Sequence, residues 1–326
     1  MKQKVIVVVL CVCASAFSGC LQANVIAPKK TFSRSAERNA AGALSDADVG
    51  AEFLADVPSN VRQEFIEEGV GGNSLRVFRR QGSRPYWLAV AELRRASVEV
   101  RLPAVRSKLA RTSVTGGDCT VAINGGYFGG TGSASLAIDN GVVLSRDAQG
   151  LSRKQGLAFP ARAVLSMDVS RDPRLIWGKM GASGLQFFAE PPNPFVSGAS
   201  APTGAEIVTK TAIGGGPMLV WNSQLRVSTS EEAIDPSVQP ESRAPRTALA
   251  ITSNGRLLAL VADGRSEITG GFSLNELASE LVSLGANSAM NLDGGGSSTF
   301  VVNGVVKNRP SDGSERAVSS IVCLKI

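Results

Sequence analysis

The chain has 326 residues, 43% of them hydrophobic and 5% aromatic, with 35 glycines and a formal charge of +6. This composition suits one large or two modest loop-rich, strand-containing domains better than a helical bundle. Histidine is absent, which excludes Ser-His-Asp and Cys-His catalysis and any His-ligated zinc site. The basic residues are spread along the chain without aromatic interleaving, which favours anionic substrates or surfaces and weighs against nucleic-acid binding.

The N-terminus has the pattern of an export signal. Lys2 and Lys4 precede an apolar run over residues 5–17, which is too short to span a bilayer as a helix. Small residues then lead to Cys20, as in the lipobox of bacterial lipoproteins, with Phe17 where that motif usually has Leu. Residues 1–20 are therefore predicted to be a signal peptide with a lipobox. The alternative is an ordinary cleaved signal peptide.

Acylation of Cys20 would make the protein an exported, membrane-anchored lipoprotein, periplasmic or associated with the outer membrane. Residues 21–70 show little periodicity and are predicted to be a tether and N-terminal extension, with a short helix between Asp48 and Glu68. Two cysteines then remain, Cys119 and Cys323. In an oxidising compartment they are a candidate disulfide, and two buried free thiols are the equal alternative.

Residues 71–326 are predicted to form one domain in which strands dominate. Asn-Gly pairs at 140–141, 254–255 and 303–304 lie between apolar segments and predict three hairpins. One helix is predicted, from the Ser273 N-cap with Glu276 completing a capping box to a stop at Gly285. Residues 179–210 are rich in Gly, Pro and Ser and predict a long loop or insertion.

Few helical patterns separate the strand patterns, which argues against a doubly wound parallel sheet. The predicted fold class is α+β, with strand-rich mixed or antiparallel sheets and a few peripheral helices. Besides the hairpin strands at 135–139, 142–144, 299–302 and 305–306, the predicted strands cover residues 75–78, 86–93, 97–102, 121–123, 212–213, 218–221, 248–252, 257–262 and 288–293.

The densest chemical feature follows the last of these strands. Asp293 delivers a carboxylate to the start of a glycine and serine turn. Successive glycines allow backbone N–H groups to converge on an anion, so this turn is predicted to bind a phosphate or a developing oxyanion. No lysine follows the glycines, which excludes a Walker A loop. The predicted turn comprises Gly294, Gly295, Gly296, Ser297 and Ser298.

Two other strand ends carry glycines. Asn124, Gly125 and Gly126 follow an apolar strand, where an amide side chain can hold a sugar hydroxyl or a phosphate oxygen. Gly215 lies in a run of three glycines before another strand, where close backbone approach is expected, with a β-bulge as the alternative.

Two arginines adjoin strands in the same half of the chain. Arg246, followed by Thr247, precedes a strand, and Arg265 follows one. Guanidinium groups suit phosphate, and surface ion pairing is the alternative for each. Asp263 is either a second carboxylate of the site or a residue that orients Arg265. Glu276 is interpreted as a helix cap rather than a catalyst.

In their order along the chain these motifs resemble the phosphodiester glycosidase family, some of whose bacterial relatives are described as exopolysaccharide-related. The resemblance runs from about Trp87 to the C-terminus. Its motifs are Asn124-Gly-Gly-Tyr-Phe, Gly214-Gly-Gly-Pro-Met-Leu-Val, Pro245-Arg-Thr-Ala, Asp263-Gly-Arg, the Ser273–Gly285 helix, Asn291-Leu-Asp-Gly-Gly-Gly-Ser-Ser and the loop from Pro310.

The resemblance implies hydrolysis of the bond between a sugar's anomeric carbon and a phosphodiester. Asp293 is then the first choice for the catalytic acid/base and Asp263 a weaker second carboxylate. Arg246, Arg265 and the backbone of residues 294–298 would stabilise the leaving phosphate, and Asn124 would position the sugar. The other residues expected at the substrate are Gly125, Gly126, Gly215 and Thr247.

No cofactor is required by this chemistry, and no metal ligands are assigned. Two other functions stay open. One is a non-catalytic envelope lipoprotein that binds an anionic glycan, and the other is a phosphodiesterase in which Asp293 and Asp263 hold Ca²⁺ or Mg²⁺.

Overall fold

The computed structural model of the protein describes residues 48–69, 72–114, 119–130, 132–266 and 270–326. Strands dominate these residues and every strand pair among them is antiparallel, which confirms the predicted strand-rich α+β class. The predicted signal peptide and Cys20 lie outside the described residues. The α-helices of the described residues are α1 (Val49–Asp56), α2 (Ser59–Arg62), α3 (Leu109–Val114) and α4 (Leu274–Ser283).

The largest sheet has eight strands in the order β1-β2-β3-β20-β19-β21-β17-β18. Its central strands β3 and β20 are apolar at every position, because both faces of the sheet are covered. The strands are β1 (Phe65–Glu67), β2 (Leu75–Arg80), β3 (Tyr86–Ala91), β17 (Met218–Trp221), β18 (Gln224–Leu225), β19 (Arg246–Thr252), β20 (Leu257–Ala262) and β21 (Ala286–Asn291).

Two further sheets complete the strand framework, together with two short ribbons. The five-stranded sheet contains, in spatial order, β23 (Val305–Val306), β22 (Phe300–Val302), β5 (Val121–Asn124), β24 (Ile321–Lys325) and β4 (Ser97–Arg101). The seven-stranded sheet contains β15 (Ala205–Ile207), β14 (Leu185–Phe188), β13 (Pro173–Met180), β12 (Arg162–Met167), β16 (Thr211–Gly214), β8 (Ala137–Asp139) and β9 (Val142–Ser145). The ribbons pair β6 (Phe128–Gly129) with β7 (Gly132–Ser133) and β10 (Leu151–Arg153) with β11 (Gly156–Ala158).

The eight-stranded sheet separates two apolar cores. On one face Trp87 and Ala89 of β3 pack with side chains of the other two large sheets, including Ile123 and Trp177. On the other face Leu88 belongs to a core shared with helices α1 and α4. Alternate residues of one strand thus serve different cores, as the two-residue period of a strand requires.

The local signals in the sequence predicted several elements correctly. All three Asn-Gly pairs connect hairpins, β8 to β9, β19 to β20 and β22 to β23. Helix α4 has Ser273 as its N-cap, and Glu276 completes the predicted capping box.

Two sequence interpretations need correction. The predicted loop over residues 179–210 contains strands β14 and β15, which extend the sheet beyond β13. The strand Leu185–Phe188 is short, contains the polar Gln186 and lies among glycines and prolines that are typical of loops. The described part of the predicted tether, from Asp48, packs on the domain, because β1 pairs with β2 and Phe53 of α1 is buried.

Cys119 and Cys323 are joined by a disulfide in the structure, with their Cα atoms 5.4 Å apart. Cys323 lies in β24, whose neighbour is β5, and both cysteines are buried. The bond therefore fixes the start of β5, the strand that leads to Asn124, to the end of the chain.

Candidate active site

The candidate site lies where β5 of the five-stranded sheet and β21 of the eight-stranded sheet end beside each other. The side-chain amide of Asn124 donates a 2.7 Å hydrogen bond to the carbonyl oxygen of Asp293. The N–H of Asp293 in turn donates to the carbonyl oxygen of Gly125 at 3.2 Å. These two bonds bring together motifs that lie about 170 residues apart in the sequence.

Asn124 is completely buried and its side chain has no free hydrogen-bonding capacity. Besides donating to Asp293, it accepts at Oδ1 from the Thr247 hydroxyl at 2.7 Å and from the N–H of Thr299 at 3.2 Å. The Thr247 hydroxyl also lies 3.2 Å from Oγ of Ser298. The predicted sugar contacts of Asn124 and Thr247 are therefore replaced by a positioning role, in which they hold the glycine turn.

Asp293 is the candidate carboxylate. It is partly buried, and its Oδ1 accepts from the N–H of Gly294 at 2.9 Å. Burial raises its pKa above the ordinary value, while the Ser297 hydroxyl, the Gly294 N–H and the charge of Arg316 act in the opposite direction. The side chain is thus a stronger base than an ordinary aspartate.

The turn after Asp293 differs from the anion nest that the sequence predicts. The N–H groups of Gly294, Gly295, Ser297 and Ser298 donate to acceptors within the protein. These bonds shape a 3₁₀ turn over Gly295–Ser297. Of the five N–H groups, the Gly296 N–H alone has no acceptor among the described residues. Most of these N–H groups are therefore not free to donate to a phosphate, because they already donate to acceptors within the protein.

The glycines of this turn allow arginine side chains to approach it closely. Gly295 has φ of +60°, and a Cβ at that position would lie 3.0 Å from Nη1 of Arg265. A Cβ at Gly296 would overlap the side chains of Arg316 and Asp312. The two glycines are therefore needed for the packing of two guanidinium groups against the turn.

Arg246 does not have the phosphate-binding role that the sequence predicts. Its side chain is buried, and its guanidinium donates at 2.8–3.0 Å to four carbonyl oxygens. Burial lowers its pKa. The residue fastens two loops to the start of β19, since the acceptors are the carbonyl oxygens of Val238, Gln239, Ser242 and Phe272.

Two other guanidinium groups, those of Arg265 and Arg316, lie against the turn. Arg265 is exposed beside Gly295, and Arg316 is exposed beside Gly296. Arg316 pairs with Asp312 at 2.6 Å and donates to Oγ of Ser297 at 3.4 Å. Arg316 was not among the residues predicted from the sequence to bind phosphate. It lies in the loop from Pro310, which the sequence marks only as a family motif. That loop contacts the turn, which precedes it by a β-hairpin, at Gly296 and Ser297, and the contact has no local sequence pattern.

Asp263 supports the turn from outside. Its Oδ1 accepts from the N–H of Arg309 at 2.8 Å, and its carboxylate also accepts from the Asn308 side chain. Asn308 donates to the carbonyl oxygen of Ser298 at 3.0 Å. This arrangement favours a positioning role for Asp263 over the predicted second catalytic carboxylate. Burial raises the pKa of this carboxyl group.

Tyr127 is a further residue of the site, and it belongs to the Asn124 motif although no role was predicted for it from the sequence. Its hydroxyl donates to the carbonyl oxygen of Gly216 at 2.6 Å and accepts from the Asn291 amide at 3.0 Å. Burial and the negative charge of Asp293 raise its pKa, so the phenol stays neutral. The tyrosine thereby links the Asn124 motif to the chain before β17, where Gly215 packs against the carbonyl oxygen of Asn291.

A buried carboxylate, Glu232, holds that same segment in place. It accepts from the N–H groups of Met218 at 2.7 Å and Ala163 at 2.8 Å, and from the Trp177 indole at 2.9 Å. Burial raises its pKa, and its accepted bonds oppose that shift. Glu232 is a structural group, because both of its oxygens are used by the protein.

Several buried hydroxyls around the site have no hydrogen-bond partner among the residues that the structure describes. They include Oγ of Ser320, which lies against Gly125, Oγ of Ser135, which lies against Gly126, and Oγ1 of Thr299. A cluster of unsatisfied polar atoms is characteristic of a site that binds ligand or water. A larger cavity, of about 110 Å³, lies away from these residues, beside Leu93, Met167 and Lys210.

Among the described residues, no three carboxylates or cysteines are placed to hold a metal ion together. Asp263 accepts hydrogen bonds from the Arg309 N–H and the Asn308 side chain, while Asp293 accepts from the Gly294 N–H and the Ser297 hydroxyl. The pairing of Asp263 with Asp293 around a cation therefore has no geometric support in this part of the chain.

Known proteins share this arrangement of elements. The catalytic domain of zebrafish N-acetylglucosamine-1-phosphodiester alpha-N-acetylglucosaminidase superposes with a TM-score of 0.56 at 20% identity, covering 84% of this chain and 92% of that one. A putative exported protein from Burkholderia pseudomallei superposes with a TM-score of 0.51 at 16% identity, covering 74% of each chain. At these identities the similarity shows a shared fold.

Sequence similarity goes further. The bovine N-acetylglucosamine-1-phosphodiester alpha-N-acetylglucosaminidase is 29% identical over 249 residues, which cover 72% of this chain and 40% of the bovine protein. The human enzyme is also 29% identical, over 64% of this chain and 38% of its own length. The chain thus spans about two fifths of these relatives.

The model of the phosphodiester glycosidase family matches residues 117–325. That range contains Asn124, Tyr127, the Asp293 turn and the Arg316 loop, which the structure brings together at one place. Because the match covers more than half of the sequence, the chain belongs to the phosphodiester glycosidase family.

Proposed function

We propose that the protein is an exported glycosidase that hydrolyses the bond between a sugar's anomeric carbon and a phosphodiester in an envelope or extracellular glycan. The observation that carries the proposal is the position of Asp293, a carboxylate with raised pKa, in a turn that packs against Arg265 and Arg316. The carboxylate of Asp293 can accept a proton, and the guanidinium groups of Arg265 and Arg316 can bind phosphate.

In this mechanism Asp293 removes a proton from the attacking water. The water oxygen bonds to the anomeric carbon while the bond from that carbon to the phosphate oxygen breaks. The group that leaves is a phosphate monoester, which is a weak base, so it departs as an anion and needs little protonation. Arg265 and Arg316 stabilise that anion, and the Ser297 hydroxyl connects Arg316 to Asp293.

The named activity of the bovine and human relatives supports this proposal, because it is the cleavage of an N-acetylglucosamine-1-phosphodiester. A sugar-phosphate unit of an anionic glycan is the proposed substrate. The direct test is to incubate the purified protein with a panel of sugar-1-phosphodiesters in H₂¹⁸O and to identify the products by mass. A glycosidase places the label in the sugar, whereas a phosphodiesterase places it in the phosphate.

The same assay separates the remaining alternatives. A cation-dependent phosphodiesterase would lose its activity in EDTA, and the glycosidase proposed here would keep it. A non-catalytic glycan-binding protein would bind the anionic glycan without releasing any product. Label in the sugar that persists in EDTA is the result that this proposal requires.

We further propose that the protein is anchored to a membrane by acylation of Cys20. The motif at residues 17–20 supports this anchoring. No helix of the described residues is long and apolar enough to cross a bilayer. Cys20→Ser should release the protein from membranes and abolish labelling by a fatty-acid probe. A wild-type protein that takes up no label would contradict the proposal.

A further inference from the structure

Four exposed arginines lie beside the Asp293 turn and the neighbouring Asp263. They are Arg79, Arg265, Arg309 and Arg316, and together they form the arginine patch. They come from three separate parts of the chain, so only the folded protein groups them. Arg265 and Arg316 are the proposed partners of the leaving phosphate, whereas Arg79 and Arg309 have no part in that chemistry.

Arg309 is held next to the turn by hydrogen bonds. The side chain of Asn308 donates to the carbonyl oxygen of Ser298 at 3.0 Å, and the N–H of Arg309 donates to Oδ1 of Asp263 at 2.8 Å. Asp263 comes two residues before Arg265, whose guanidinium lies against the turn. Arg265 and Arg309 are therefore neighbours of the same carboxylate, and both adjoin the turn.

Arg79 extends the patch along the sheet. It is opposite Trp87 in the pairing of β2 with β3, and its guanidinium carbon lies 5.8 Å from the centre of the Trp87 ring. Burial raises the pKa of the Asp263 carboxyl, whereas hydrogen bonds from Arg309 and Asn308 and the charges of Arg309 and Arg79 lower it. Arg79 and Arg309 thus lie within electrostatic reach of the same group.

The sheet topology spreads the patch over one edge of the eight-stranded sheet. Strands β2, β20 and β21 all end at this edge, and their order is β2-β3-β20-β19-β21. Neighbouring strands lie about 4.8 Å apart, so roughly 19 Å separates the end of β2, which carries Arg79, from the end of β21, which leads to Asp293. A single phosphate group cannot span that distance.

Three of the four arginines have no ion pair in the described part of the chain. Arg316 pairs with Asp312, whereas the guanidinium groups of Arg79, Arg265 and Arg309 have no carboxylate oxygen within 4.0 Å among those residues. Exposed guanidinium groups without a carboxylate partner attract anions and can bind phosphate through two parallel N–H donors. The patch is therefore suited to a ligand that carries more than one phosphate.

The patch favours a sugar phosphate over a nucleic acid. Proteins that bind single-stranded nucleic acid stack its bases on aromatic side chains. The aromatic ring within the patch is that of Trp87, which is only 7% exposed, because Arg79 lies over it and Phe300 stacks against it. This ring is not open to a base.

We propose that the arginine patch binds successive phosphates of a sugar-phosphate polymer. Arg265 and Arg316 bind the phosphate that is released, and Arg309 and Arg79 bind the next phosphate on its aglycone side. The proposal rests on the proposed function, because that function places the leaving phosphate at the Asp293 turn. It narrows the substrate class to glycans in which phosphodiesters link successive sugars.

The test compares two substrates of similar size that differ in one phosphate. In both, an N-acetylglucosamine 1-phosphate is joined as a diester to C6 of a second N-acetylglucosamine. The second sugar ends in a 1-phosphomethyl diester in the two-phosphate substrate and in a methyl glycoside in the one-phosphate substrate. Release of the first sugar is followed by mass, and the readout is the ratio of kcat/KM for the two substrates. This ratio does not depend on how much of a variant is folded.

Wild type should prefer the two-phosphate substrate by roughly tenfold, since two exposed arginines contribute about threefold each. Arg79→Ala and Arg309→Ala should each lower the ratio about threefold, and the double variant should bring it close to one. Arg309→Lys should keep most of the preference, because the charge remains. Arg174→Ala, an exposed arginine of β13 outside the patch, is the matched control and should keep the wild-type ratio.

Two results of this assay would overturn the proposal. One is a wild-type ratio of one, and the other is a ratio that the double variant leaves unchanged. An oligothymidylate of matching charge is added as a competitor. Inhibition by it that the double variant removes would assign the patch to nucleic acid and would also overturn the proposal.

The two proposals fail in different ways. If wild type releases no sugar from either substrate, the proposed function fails, and the binding of both compounds is measured by calorimetry. Tighter binding of the two-phosphate compound that is lost in the double variant would still support the patch. Equal binding of the two compounds, or no binding at all, would overturn it.

Discussion

The side-chain amide of Asn124 donates to the main-chain carbonyl oxygen of Asp293 at 2.7 Å. This bond joins the end of a strand in one sheet to the candidate catalytic turn after a strand in another. Since the Asp293 N–H also bonds to the carbonyl oxygen of Gly125, the peptide groups on both sides of Asp293 are fixed. The backbone of Asp293 is thereby held in place, while its carboxylate accepts from the Gly294 N–H and from the Ser297 hydroxyl.

The first prediction follows from this bond. Asn124→Leu keeps the shape of the side chain but leaves the carbonyl oxygen of Asp293 and the N–H of Thr299 without partners. Each buried group left unpaired costs about 1–3 kcal/mol in the free energy of unfolding. Urea denaturation measures the loss, with the exposed Asn275→Leu of helix α4 as control. A variant as stable as the control would contradict the positioning role.

Arg246 is predicted to stabilise the folded protein rather than to bind substrate. Arg246→Lys cannot reproduce four separated hydrogen bonds to carbonyl oxygens. We expect the free energy of unfolding to fall by about 2–4 kcal/mol, measured by urea denaturation. A variant of normal stability that has lost phosphate affinity would restore the role that the sequence predicts for Arg246.

Arg316 is predicted to behave in the opposite way. Its ion pair with Asp312 is 42% and 39% exposed, so Arg316→Ala should change the free energy of unfolding by only about 0–1 kcal/mol. Its loss should instead lower kcat/KM roughly 10²-fold or more, because a cation that stabilises the leaving phosphate is removed. Arg174→Ala, on an exposed side chain of β13, is the control. Steady-state kinetics with near-wild-type kcat/KM for Arg316→Ala would be incompatible with this assignment.

Glu276, at the start of helix α4 and outside the candidate site, is predicted to make the free energy of unfolding depend on pH. Hydrogen bonds from Arg243 lower its pKa from 4.5 to about 2, with help from the Ser273 N–H and Arg84 against the opposing effect of burial. A lowered folded-state pKa means that the stabilisation is present above pH 4.5 and is lost as the pH falls towards 2. The stability difference between wild type and Glu276→Gln, from urea denaturation at each pH, should therefore shrink over that range. A difference that is independent of pH would contradict the shift.

Sequence patterns predicted those parts of the fold that depend on neighbouring residues. The Asn-Gly hairpins and the Ser273 capping box are local, and the structure contains them. The strand Leu185–Phe188 was missed, because only its pairing with β13 distinguishes it from a loop. Tertiary context decides such short segments.

The structure brings several of the predicted site residues together, and it gives others contacts that the sequence did not predict. Asp293, Asn124 and Thr247 do come together. The sequence does not show which polar groups bond to one another. Arg246 donates to carbonyl oxygens of neighbouring loops, and most N–H groups of the turn donate to acceptors within the protein. Arg316 reaches the turn from a loop with no local signal of its own.

The most direct test of the central claim is the pH dependence of kcat for wild type and Asp293→Asn on a sugar-1-phosphodiester. Asp293→Asn preserves the shape of the side chain and removes its basicity, so kcat should fall by about 10²–10⁴ with the fold retained. Because burial raises the pKa of Asp293, the wild-type rate should decline, as the pH falls, at a higher pH than an ordinary aspartate would produce. The variant's residual rate should lack that decline. An Asp293→Asn protein that releases sugar at the wild-type rate, with the same pH profile, would contradict the account.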